Sequence, residues 1–198
     1  MTKNATDLIL RDRLQFTADT AGDQATVYGR FDLSDYVSAL ERKGLAIKEV
    51  NFMLRDPTNG TLPNTGMWVS TGIPSNQGES FTTIAGIKVY ATTRAYENAA
   101  DVGIASPDVL CIEQWETIVG PFDLATGLPG NITLTHNKYG TLDLHPDGFP
   151  VVTDLLIGIA SDKWTTMESM ELDVMLIASP ITITQKQLTE MLVQGQDQ

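Results

Sequence analysis

Met170-Glu171-Leu172-Asp173-Val174-Met175-Leu176-Ile177-Ala178 alternates apolar and polar side chains over its first five positions. It keeps Met170, Leu172, Val174, Leu176 and Ala178 on one side throughout. A period of two is that of a pleated strand, because successive Cβ atoms leave the backbone on opposite faces. A helix would instead set its apolar residues three and four apart. The stretch therefore reads as a strand with one buried face.

The same period recurs outward from it. Residues 8–16 place Leu8, Leu10, Leu14 and Phe16 on one face, with Asp12 as the exception, and residues 25–31 group Ala25, Val27, Gly29 and Phe31. Val50, Phe52 and Leu54 share a face in 45–55, and Phe81, Ala85, Ile87, Val89 and Ala91 do so in a long run ending near Arg94. Residues 109–119 are apolar on both faces for several positions, as a central, doubly covered strand would be. Ile132 and Leu134 are followed by a turn at Asn137-Lys138 and then by Leu142 and Leu144; Val151, Leu155, Ile157 and Ile159 form a further run. Between the runs stand turn formers, such as Asp56-Pro57-Thr58-Asn59-Gly60 and His145-Pro146-Asp147-Gly148. Short strands divided by Pro, Gly and Asn predict an all-β, antiparallel sandwich or barrel of about eight strands. Its expected core includes Val50, Phe52, Ile87, Val89, Ile112, Leu155, Ile157, Leu172 and Val174.

Two short helices are expected. Ser34 suits an N-cap, Arg42 and Lys43 suit a last turn, and Gly44 a C-terminal stop, so 34–43 reads as helical. Thr184 and Gln187 have capping-box spacing ahead of Leu188, Met191 and Leu192, which predicts a second helix to about Gln194. With no internal repeat or linker, residues 1–198 read as one domain with a helical tail at about 184–198. That tail is too short to be stable alone in water. Leu188, Met191 and Leu192 therefore need a surface to cover, either their own domain or a neighbouring subunit, and are the candidate subunit interface.

The charge is unevenly spread. Residues 1–55 hold eight Lys/Arg and eight Asp/Glu (8 − 8 = 0), and residues 56–198 hold five and seventeen (5 − 17 = −12), the whole net charge. No basic cluster exists to hold a phosphate backbone or an anionic membrane, so direct nucleic-acid binding is not expected. No stretch approaches the ~20 apolar residues of a spanning helix, and no apolar run of signal-peptide length follows the N-terminus. The single cysteine, Cys111, is expected as a small buried hydrophobe.

The residues for catalysis are sparse. The two histidines, His136 in a hairpin strand and His145 in a turn, adjoin no Gly-x-Ser-x-Gly elbow. With Cys111 they number three scattered ligands, short of a structural zinc site. Glu113 and Glu116 would point to opposite faces of a strand and could not flank one glycosidic bond. Neither a phosphate loop nor a dinucleotide fingerprint occurs. The expectation is a non-enzymatic protein without cofactor, metal or small-molecule substrate. Trp115, flanked by Ile112 and Ile118, is expected in the core. Trp68 and Trp164 sit close to loops and are the candidate exposed aromatics.

The order of elements carries a resemblance. A strand pair is followed by the segment Asp32-Leu33-Ser34-Asp35-Tyr36-Val37-Ser38-Ala39-Leu40-Glu41-Arg42-Lys43-Gly44 and directly by the long strand Leu45 to Asp56. Several further strands and a closing strand with a polar tail complete it. This layout, over residues 8–180, resembles the small single-jelly-roll capsid proteins of tailless icosahedral viruses of archaea and bacteria. The resemblance implies a jelly-roll barrel or sandwich and a capsid subunit located in the virion shell, made without a secretion signal. It implies lateral contacts with copies of itself and a related second capsid protein, with penton or spike proteins as further partners, and no active site. The alternative expectation is a carbohydrate-binding β sandwich on a surface or virion appendage, using Trp68 or Trp164 as a sugar-stacking platform.

Overall fold

The computed structural model describes residues 7–17, 25–55, 83–119, 132–139, 148–162 and 169–194. These contain β1 (Leu8–Thr17), β2 (Ala25–Phe31), β3 (Lys43–Arg55), β4 (Thr83–Thr92), β5 (Val109–Val119), β6 (Ile132–Tyr139), β7 (Phe149–Val151), β8 (Leu155–Asp162), β9 (Ser169–Thr182) and the helix α1 (Gln185–Gln194). They form a four-stranded sheet in the order β1-β9-β3-β7 and a five-stranded sheet in the order β2-β8-β4-β5-β6. Every pairing is antiparallel. Each sheet keeps its own edges, so the expected sandwich or barrel is an open two-sheet sandwich.

All nine expected core residues are buried. Eight lie between the sheets in one cluster with Leu45, Ile47, Leu54 and Trp115. Ile112 is buried elsewhere, on the outer face of the five-stranded sheet with Tyr90, Val102 and Ala160. β5 is thus covered on both faces, as its sequence suggested. A register shift between Ala91 and Thr92 leaves Leu110 as the extra residue of a bulge.

That outer cluster is roofed by the 93–108 segment. The Tyr28 hydroxyl lies 2.7 Å from that of Tyr90, donates to the Tyr96 carbonyl at 3.0 Å and accepts from the Tyr96 N–H at 2.7 Å. Lys88 Nζ donates to the carbonyls of Ala99 and Val102, fastening the 3-10 turn at Ala99–Asp101. Burial lowers the Lys88 pKa, and burial followed by the Tyr28 bond raises that of Tyr90. The Tyr90 ring lies on Gly158, where an added Cβ would fall 2.2 Å from its Cζ. Only a residue without a side chain leaves room for it.

Three local expectations are corrected. Residues 34–43 form turns, not a helix: Tyr36 and Val37 donate to the Leu33 carbonyl, and Ser38 and Lys43 exchange backbone bonds at 2.9 Å around Arg42 at φ 55°. The reason is competition from outside the segment. Lys43 and Gly44 are drawn into β3 opposite Thr182 and Ile181, the Ile183 N–H donates to the Arg42 carbonyl, and Leu33 rather than Tyr36 or Leu40 enters the core, its N–H held by Asp154. Gly44 serves close packing rather than a helix stop, since a Cβ there would meet Ile183 at 2.5 Å and the Val151 carbonyl at 2.8 Å. Asn137 and Lys138 continue β6 instead of turning, because their backbones pair with Gln114 and Glu113. Finally, the run from Val151 to Ile159 is divided between the sheets, Val151 closing β7 and Leu155 opening β8.

The C-terminal helix forms where its cap predicted. Thr184 Oγ1 accepts from Gln187 N–H at 3.3 Å, while Gln187 Oε1 accepts from Thr184 N–H at 3.0 Å. Among the described residues no helix is long and apolar enough to cross a membrane.

Candidate functional site

The most unusual side chain of the sandwich is a carboxylate facing its interior. β5 alternates, so Cys111, Glu113 and Trp115 point inward. Glu113 is 1% exposed. An ionised group so placed is expensive unless its lone pairs are filled. The neighbouring edge strand fills them. Register sets Trp115 opposite His136 and Glu113 opposite Lys138. His136 reaches diagonally, placing Nε2 2.8 Å from Glu113 Oε2, and Lys138 Nζ donates to Oε1 at 3.0 Å. The Trp115 ring stacks on the imidazole at a centroid distance of 4.5 Å and an interplanar angle of 12°.

This arrangement fixes an imidazole by a carboxylate on one side and an indole on the other. It also ties the edge strand β6 to the core through inward-pointing polar side chains, the Lys138 ammonium among them, a known way of discouraging an edge from pairing with foreign strands. The two strand partners remain partly open to solvent, His136 at 40% and Lys138 at 35%. Beside them burial, with a smaller contribution from Glu113, pushes the Cys111 thiol up to about 12, which leaves it an inert thiol. Glu116 lies on the opposite face, accepting from Gln114 and, at 3.4 Å, from Thr135. The two glutamates therefore cannot act on one bond. Among the described residues no group of three or more His, Cys, Asp or Glu could hold a metal ion.

The residues singled out in the sequence fall differently. Leu188 is buried in a small cluster with Val152, Ile183 and Ile181, so its apolar side is covered within the chain. Met191 and Leu192 continue α1, but their side chains lie outside the described residues, as do Trp68, Trp164 and His145 altogether. Trp115 is in the core. The Glu113–His136–Lys138 cluster was not foreseen. Its only sequence signal is an acid at an inward position of an apolar strand, and its partners stand 23 and 25 residues away. Compared with protein-family models and with curated proteins, the sequence matches none.

Proposed function

We propose that the chain is a shell-forming subunit, a single jelly roll that builds a viral capsid through lateral contacts with its own copies and a related second capsid protein. The observation that carries this reading is the nesting of the strand pairs. β1 pairs with β9, β2 with β8, β3 with β7 and β4 with β5. Such nesting describes an antiparallel ribbon folded back on itself. The pairings of β3 with β9 and β4 with β8 are those a ribbon gains when it is rolled up. With β6 set aside as an added edge strand, eight strands remain in two sheets of four, the make-up of a jelly roll.

That architecture serves capsid proteins, lectins and cupins alike, so the choice among them rests on sites. A cupin needs a metal held by clustered histidines, and among the described residues no such cluster occurs. A carbohydrate-binding module would rest on Trp68 or Trp164, which lie outside the described residues, and the described Trp115 is in the core. The test is the size of the chain's native form, by sedimentation and electron microscopy of its source. Very large closed particles containing the chain are expected. A small soluble species that binds glycans would overturn the reading in favour of a carbohydrate-binding module.

A further inference from the structure

The two outer faces of the sandwich are unlike. That of the five-stranded sheet is roofed by the chain's own 93–108 segment around Tyr28, Tyr90 and Lys88. That of the four-stranded sheet carries a depression of about 690 Å³, lined among others by Arg11, Arg13, Asn51, Met53, Asp173 and Met175. Register arranges these side chains in rows across three strands. Arg11, Met175 and Asn51 form one row, and Arg13, Asp173 and Met53 the next. Gln15, Glu171 and Arg55 follow, and Ile9 and Glu49 flank the row on the other side.

Two features mark this face as made for contact. Ile9 and Met53 stand 47% and 45% exposed upon it. Its charges also balance, Arg11, Arg13 and Arg55 against Glu49, Glu171 and Asp173 (3 − 3 = 0), in a chain whose net charge is −12. Two copies of so acidic a chain repel wherever their acidic surfaces meet, and least where the charges cancel. Arg13 is already bridged to Asp173 at 2.6 Å and Glu171 at 3.7 Å, and Arg55 to Asp173 at 3.6 Å. Arg11 on β1 and Glu49 on β3 have no ion-pair partner among the described residues. They stand on opposite flanks of β9, so a two-fold axis along β9 would lay β1 of one copy across β3 of the other. Arg11 would then meet Asn51 and Glu49 of its mate and Met175 its own counterpart, while Asp173 and Glu171 would also face their counterparts, each already bridged to Arg13 or Arg55 within its own copy, in an isologous contact.

We propose that the outer face of the four-stranded sheet is a self-association surface, whose occupant is the same face of a second copy of this chain. The proposal is independent of the shell reading. A face-to-face pair can form in a protein that builds no shell, and a shell can close through other surfaces, so the two fail separately. The test is sedimentation velocity of the full chain at about 0.15 M salt, where the long-range repulsion is screened, and rising concentration. A dimer is expected by about 100 µM, with Met53→Glu and Arg11→Glu each weakening it about tenfold or more. Both positions lie on the open sheet face, so melting temperatures should move by only a few degrees, roughly the range of a surface substitution. A wild-type chain that stays monomeric at that concentration would overturn the proposal. So would a dimer whose affinity neither variant changes.

Discussion

Glu113→Leu and the double change His136→Ala with Lys138→Met take the same polar cluster apart from opposite sides. The double change strands a carboxylate whose side chain is 2% exposed, with both hydrogen-bonding partners gone. An uncompensated buried charge of this kind costs about 3–5 kcal/mol. His136→Ala alone leaves the Lys138 bond in place and forfeits one hydrogen bond to a charged group, about 1.5–3 kcal/mol. Glu113→Leu removes the buried charge itself. His136 and Lys138, 40% and 35% exposed, can then turn to water, so the lost pairing is worth no more than about 1 kcal/mol. Replacement of a buried ion by an apolar residue of similar volume is often neutral or stabilising. The double variant should therefore be the less stable by at least about 2 kcal/mol, or roughly 4–8 °C in melting temperature for a chain of this size. Urea and thermal unfolding of the four proteins at pH 7 measure it. If Glu113→Leu is as damaging as the double change, the cluster is not a buried charge held by exposed partners, and the reasoning fails.

Three further outcomes are expected. Leu188→Ala should destabilise the isolated chain by about 2 kcal/mol, the lower end for a buried leucine, because its cluster with Val152 and Ile183 is small; an unchanged urea midpoint would mean that the helix is held by another subunit. Gly158→Ala should cost about 1–3 kcal/mol by driving a methyl group into the Tyr90 ring, and most of that cost should vanish in a Tyr90→Leu background, as a double-mutant cycle would report. Between its ordinary 9.0 and about 12, the Cys111 thiol keeps in the folded chain a proton that the unfolded chain releases. The unfolded state binds fewer protons there, so this group's contribution to stability falls as pH rises through that window. Labelling by a thiol reagent at pH 9 should accordingly be slow until the chain unfolds, and rapid labelling of native protein would contradict it.

What could be read from the chain without coordinates was whatever its neighbours in sequence control. Alternation in Met170–Ala178, in the Val50–Leu54 run and in the Ile87–Ala91 run named the buried face of each strand, because the pleat converts parity directly into side. The capping of α1 was legible for the same reason, since Thr184 and Gln187 satisfy each other within one turn. Tertiary structure decided wherever a group found its partner far along the chain. Residues 34–43 carry local helix signals, yet the distant Ile183 N–H donates to the Arg42 carbonyl, Lys43 and Gly44 pair with Thr182 and Ile181, and the chain turns instead. Ile112 was rightly expected to be buried, but which face covers it depended on the segment folded over Tyr90. Glu113 looks in sequence like any acid in a strand. Only the register of β5 against β6, a non-local pairing, brings His136 and Lys138 to it and makes its burial tolerable. The same holds for the rows on the outer face of the four-stranded sheet. Arg11, Met175 and Asn51 become neighbours because β9 inserts between β1 and β3. The parity of a strand is a property of its own backbone, whereas its neighbours are chosen by the packing of the whole.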